Sequence, residues 1–166
     1  TGTWQRPYIP DFPGKENFSG EQLHSAHYRS PDPYGGKRVL VVGGGNSGAQ
    51  IFAELSEVSF CKWATQYEPE FLPDDVDGRV LFNVATAKYN ALKEGKPFDI
   101  SQYNLGKIVM VPSVKRARNT GVLKSNGNFI SLTEHGVVWS DDKEESFDAI
   151  IWCTGFGYAT DHLASL

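Results

Sequence analysis

Val39-Leu40-Val41-Val42-Gly43-Gly44-Gly45-Asn46-Ser47-Gly48 is the stretch that decides the reading of this chain. Its apolar, β-branched run does not alternate, which marks a strand buried on both faces. The run ends in Gly-x-Gly-x-x-Gly. Residues 49–58 follow, with Ile51, Phe52, Leu55 and Val58 at helical spacing. Strand, turn and helix in that order are the context a dinucleotide fingerprint requires. Gly43 permits the tight turn, Gly45 lets backbone approach a pyrophosphate, and Gly48 lets helix and strand pack closely. Free N–H groups at the helix start, aided by the helix dipole, then face the phosphates. Gly43, Gly45, Asn46, Ser47 and Gly48 are therefore the candidate pyrophosphate residues. The competing reading, a glycine-rich loop without a ligand, is disfavoured by the strand before it and the helix after it.

Working outward, residues 60–65 read as the second strand of a βαβ unit. Gln66 at its end would face the adenosine ribose. An acid there usually binds the 2′-hydroxyl of NAD, and an arginine nearby accepts the 2′-phosphate of NADP. Ala64-Thr65-Gln66-Tyr67 carries neither, so Lys62 or Arg79 would have to supply charge. An acidic loop spans 69–78, and a second helix spans 79–92, stopped by Gly95-Lys96-Pro97. A short strand is expected at 108–111 and a proline-started helix at 112–119. Segments 122–123, 129–132 and 137–139, divided by turn signals, predict a small antiparallel meander. Residues 149–153 read as a last buried strand ending at Thr154-Gly155. The fold class is α/β: a Rossmann-like nucleotide-binding sheet with helices and a small antiparallel β-meander.

The 166 residues suffice for one domain with a sizeable core. A net charge of −4 argues against a nucleic-acid partner. Lys115, Arg116 and Arg118 read as a solvated helix face. No apolar run reaches the length of a membrane helix, so no membrane partner is expected. Cys61 and Cys153 form no C-x-x-C pair and read as buried free thiols, which fits a reducing cytoplasm. His24 and His27 lack further ligands for zinc, and Asp74, Asp75 and Asp77 lack the alternation of a calcium loop. No metal is expected. Trp4, Trp63, Phe82, Trp139 and Trp152 read as core.

Five of the nine prolines (Pro7, Pro10, Pro13, Pro31, Pro33) fall in residues 1–36, which read as extended chain and turns. This stretch also carries Phe18-x-Gly20-x-x-x-His24-x-x-x-Tyr28. Together with Gly43-x-Gly45-x-Ser47-Gly48, the motif closely resembles the signature of the flavin-containing monooxygenases, class B flavoproteins that use FAD and NADPH. Thr1-Gly2-Thr3 resembles the tail of that family's Ala-Thr-Gly linker motif. Asp148-Ala149-Ile150-Ile151-Trp152-Cys153-Thr154-Gly155-Phe156 is similar to its returning strand.

The resemblance implies a linker carrying the motif (1–36), an NAD(P)H-binding domain (37–155) and a stub returning to an FAD domain outside the chain (156–166). It implies a cofactor site that includes Thr154 and Gly155. NADPH, with NADH possible, would reduce FAD in the full-length enzyme, and a flavin hydroperoxide would oxygenate a small nitrogen- or sulfur-type substrate. Ketone-oxidising relatives usually carry Trp where this chain has Tyr28, and Arg often stands where it has Gln66. His24 is expected to support the linkers rather than do acid–base work. No catalytic residue is assigned within the chain, and the isolated segment is expected to be inactive. The alternatives are a non-oxygenating pyridine-nucleotide flavin reductase and a nucleotide-binding module without catalysis.

Overall fold

The β-branched run becomes the strand on which the rest of the fold is hung. The computed structural model describes residues 6–74, 76, 78–99 and 107–158, with backbone alone for 78–81. The elements are β1 (Glu21–His24), β2 (Arg38–Val42), α1 (Asn46–Leu55), β3 (Phe60–Ala64), α2 (Gly78–Lys93), α3 (Pro112–Asn119), β4 (Phe129–Leu132), β5 (Gly136–Trp139), β6 (Glu144–Ser146) and β7 (Ala149–Trp152). Four strands form a wholly parallel sheet in the order β1-β7-β2-β3. Val39, Leu40, Val41 and Val42 are all buried because helices cover one face of β2 and the meander covers the other.

Ile51, Phe52 and Leu55 of α1 pack with Val39, Val41, Trp63 and Ile151. On the opposite face Leu40, Val42, Ile150 and Trp152 meet Phe129, Val137, Trp139 and Phe147. Phe12, from the proline-rich entry, stacks on Phe129 and Trp152 at 4.5 and 5.8 Å. The start of the sheet is cross-tied by Asp148. Its carboxylate accepts the Arg38 N–H at 2.7 Å, its N–H donates to the Arg38 carbonyl at 2.8 Å, and its carbonyl accepts the Glu21 N–H at 3.0 Å.

The structure departs from the sequence reading in several places. The stretch read as linker, 1–36, contributes β1, an edge strand of the main sheet. The meander is β4-β5-β6, not 122–123 with β4 and β5. The Val122 and Leu123 N–H groups both bond to the Ala117 carbonyl at the end of α3, which leaves neither available to a strand partner. Ile108 makes one isolated parallel bridge with Phe71 instead of opening a strand. Val58 lies beyond α1 and is exposed, and so is Phe82, which was expected in the core. Trp63, Trp139 and Trp152 are buried as expected. Trp4, Thr1-Gly2-Thr3, Asp75 and Asp77, and most of 156–166, lie outside the described residues. Among the described residues no helix is long and apolar enough to cross a membrane.

Candidate functional site

The glycine turn leaves the carboxyl end of β2, with β3 on one side and β7 on the other. In parallel α/β sheets ligands bind at such an end. The turn is fixed by its neighbours. The Gly43 N–H donates to Ala64 at 2.9 Å, and the Cys153 N–H donates to Val42 at 2.7 Å. Gly43 has φ +127°, and a Cβ there would stand 2.3 Å from the Cys153 carbonyl oxygen. A Cβ on Gly48 would stand 2.0 Å from the Gly43 carbonyl oxygen, so α1 closes onto the turn only with glycine at this place. The same carbonyl accepts the Trp63 indole N–H at 2.9 Å. Trp63→Phe should therefore cost about 1 kcal/mol for the lost bond, read as a lowered midpoint in urea unfolding.

Gly45 differs from these two. A Cβ built on it meets no protein atom within 4 Å, although Gly45 is the N-cap of α1 and no side chain caps that helix. The first N–H groups of an α-helix lack intrahelical partners. An open, positively polarised cradle results. Ser47 is exposed beside it. Asn46 also braces the turn from outside: its Oδ1 accepts the Val109 N–H at 2.7 Å, pinning the segment that follows α2 to the start of α1.

Two cavities flank the turn and share Gly44 and Gln66. One, about 610 Å³, is lined by Gly45, Gln66, Tyr67, Glu70 and Lys107. The other, about 520 Å³, is lined by Tyr8, Phe12, Gly43, Cys153 and Thr154. The Thr65 hydroxyl donates to the Tyr67 carbonyl at 2.8 Å, a bend that leaves Gln66 exposed at the end of β3. Lys107, tied to Glu70 at 3.0 Å, is the cation among the described residues lining this cavity, and no motif in the sequence marks it. Its place comes from tertiary pairing: the Ile108 N–H bonds to Glu70 and the Leu72 N–H to Ile108, both at 2.8 Å. Lys62 lies elsewhere, paired with Glu145 at 3.0 Å and set over Trp139. The side chain of Arg79 lies outside the described residues.

The Phe18-to-Tyr28 motif builds a support rather than a pocket wall; none of its four named residues lines these two cavities. Phe18 is buried under the meander, and a Cβ on Gly20 would stand 2.6 Å from both the Phe18 ring and the Asp148 carbonyl. Tyr28 donates to Glu54 of α1 at 3.2 Å and stacks on Tyr34. Burial, then the Glu54 charge and hydrogen bond, push its phenol well above the ordinary range. His24 is 3% exposed. Its Nδ1 accepts the Ala26 N–H at 3.1 Å, which leaves Nε2 to carry the proton toward the Gly155 carbonyl at 2.9 Å. Gly155 also accepts from the Tyr8 N–H at 3.0 Å, and the Thr154 hydroxyl donates to the Tyr8 carbonyl. Thr154 and Gly155 thus hold the entering and leaving segments together.

Burial pushes the Cys61 and Cys153 thiols up to about 12, so neither is a ready nucleophile. Lys115, Arg116 and Arg118 do more than face solvent. Arg118 grips the Asp74 carboxylate at 2.6 and 2.8 Å, Lys115 reaches the Asp74 carbonyl, and Arg116 pairs with Glu57 at 3.3 Å.

Residues 1–63 match the family described as flavin-binding monooxygenase-like. The structure superposes on a flavin-containing monooxygenase from Stenotrophomonas maltophilia with a TM-score of 0.81 and 48% identity, over 99% of this chain and 43% of that one. The chain belongs to the flavin-containing monooxygenase family. It is also 29% identical to an indole-3-pyruvate monooxygenase, YUCCA1, of Oryza sativa subsp. japonica, over 94% of this chain and 45% of the relative. A senecionine N-oxygenase of Tyria jacobaeae is 27% identical over all of this chain and 28% of the relative. The chain thus spans less than half the length of these monooxygenases. The matched stretch of each takes in the positions of both the glycine turn and the latch around Gly155.

Proposed function

We propose that this chain is the NAD(P)H-binding module of an FAD-dependent monooxygenase. The observation that carries the reading is the Gly45 cradle: an uncapped helix start beside a position where a Cβ would enter empty space, at the carboxyl end of a parallel sheet. Backbone N–H groups of residues 46–48 would hold the pyrophosphate, and Gln66 would face the adenosine ribose. The flavin, bound by the remainder of the intact polypeptide, supplies the redox and oxygen-transfer chemistry. The residues described here bind and orient the nicotinamide cofactor. The substrate class is a soft nucleophile of nitrogen or sulfur type. Tyr28 in the motif and an N-oxygenase among the relatives support that class. Titrating the intact polypeptide with NADPH and NADH, with flavin bleaching as readout, tests the reading. Failure of both to bind at millimolar concentration, with the protein folded, overturns it.

Lys107 bears on which cofactor is preferred. It supplies positive charge to the Gln66 cavity without an arginine at the end of β3, and Glu70 partly neutralises it. The cavity therefore accepts NADPH while discriminating weakly against NADH. Gln66→Arg should raise the preference for NADPH over NADH by about tenfold, the value of one added charge-assisted contact of roughly 1.4 kcal/mol. The ratio of the two Kd values measures it, and an unchanged ratio removes Gln66 from the ribose end.

A further inference from the structure

α2 presents an apolar stripe that nothing in the described structure covers. Val84 is the one buried side chain among those described on this helix. Phe82, Tyr89 and Leu92 point elsewhere. At 100° per residue they share an arc of roughly 80°, and they are 72, 66 and 67% exposed. Scattered apolar residues on a surface need no explanation, but a contiguous stripe does. Residues 78–93 contain no Asp or Glu, and their charges are Arg79, Lys88 and Lys93, in a chain of net charge −4. The stripe therefore suits a surface that is apolar at its centre and carboxylate-bearing at its rim.

The placement of α2 narrows the occupant. The segments before and after the helix are tied to each other through Leu72, Ile108 and Glu70, and to the glycine turn through Val109 and Asn46. The helix thus leaves and rejoins the body at the cofactor end of the sheet. The Stenotrophomonas relative, of which this chain covers 43%, has more than half its length outside the matched part. We propose that the Phe82–Tyr89–Leu92 face is the docking surface for the flavin-binding part of the same polypeptide, an inference that rests on the function proposed above.

The test uses the intact polypeptide, with Tyr89→Cys on the stripe and Asn90→Cys on the neighbouring polar arc. Maleimide labelling at Tyr89→Cys should be at least tenfold slower than at Asn90→Cys, and the difference should persist on hundredfold dilution. Equal labelling rates overturn the docking face. Protection that vanishes on dilution assigns the stripe to a second copy and also overturns it, as does protection that arises only with vesicles of anionic lipid. If flavin is bound and NAD(P)H bleaches it while both sites label equally, the docking face fails and the proposed function stands. If Tyr89→Cys is protected but no nicotinamide cofactor reduces a flavin, the proposed function fails, and with it the identity of the occupant.

Discussion

Gly48→Ala and Gly45→Ala should weaken dinucleotide binding by different routes, and the contrast is the sharpest test of the cradle. At Gly48 the new methyl would stand 2.0 Å from the Gly43 carbonyl oxygen and 3.2 Å from the Trp63 indole nitrogen. Backbone cannot yield that distance, so α1 must lift from β2. A cost of about 2–4 kcal/mol follows from overpacking in a close-packed interior, and binding falls with the turn. At Gly45 the backbone conformation, φ −94°, suits any L-residue, and no protein atom lies within 4 Å of the added methyl. Gly45→Ala should therefore leave stability within about 0.5 kcal/mol of the parent. The methyl would still occupy the space through which a pyrophosphate must approach, so Kd for NAD(P)H should rise at least tenfold. Urea unfolding and cofactor titration on the two variants separate the effects. Unchanged affinity in Gly45→Ala would remove the phosphate from this turn.

His24→Ala should give the second large effect. It leaves the Ala26 N–H and one bond to the Gly155 carbonyl unmade and deletes the edge contact with Phe156 at 5.1 Å. Two lost hydrogen bonds at about 0.5–1.5 kcal/mol each, with the cavity left by a ring that is 3% exposed, give a loss of about 2–4 kcal/mol, or roughly 6–12 °C in Tm for a chain of this size. The pH dependence has a definite sign. Burial, assisted by the nearby His27 charge, holds the His24 imidazole below the ordinary histidine value, and the Gly155 bond only partly opposes this. As pH falls below about 6.5, the unfolded chain takes up a proton that the folded chain resists. The latch thus contributes fully above that pH and weakens until the folded ring also protonates. His24→Gln, which keeps a donor toward Gly155 but cannot titrate, should recover part of the stability and lose the acid-side slope. An acid-side slope that persists in His24→Gln would assign it to other groups.

The parallel core was legible because burial on both faces writes itself into sequence. Val39 to Val42 and Ala149 to Trp152 are unbroken apolar runs, and the glycines after β2 follow from close approaches that only glycine allows. β1 was hidden for the opposite reason. Glu-Gln-Leu-His is mostly polar, and this edge strand is held by backbone pairing to β7, which leaves little hydrophobic trace. β6, three residues of Glu-Glu-Ser at the edge of the meander, escaped in the same way. Val122-Leu123 looked like a strand, but the open carbonyl end of α3 captured its N–H groups. At the site, the glycines were readable from spacing. Lys107 was not, because tertiary pairing, the bridge between Phe71 and Ile108, carries it to Glu70 and the Gln66 cavity.

The two segments that lead into and out of the sheet run side by side. Pro7 bridges Phe156 in antiparallel fashion, the Tyr8 N–H bonds to Gly155, and the Gly157 N–H bonds to Arg6 at 2.8 Å. A unit whose doorway and exit coincide can be spliced into a surface turn of another domain at the entropic cost of closing a very short loop. The host need not part its own strands to receive it. In this structure the paired segments are tied back to the sheet at the Gly155 carbonyl, which takes the Tyr8 N–H at 3.0 Å from the ribbon and the His24 ring at 2.9 Å from the end of β1.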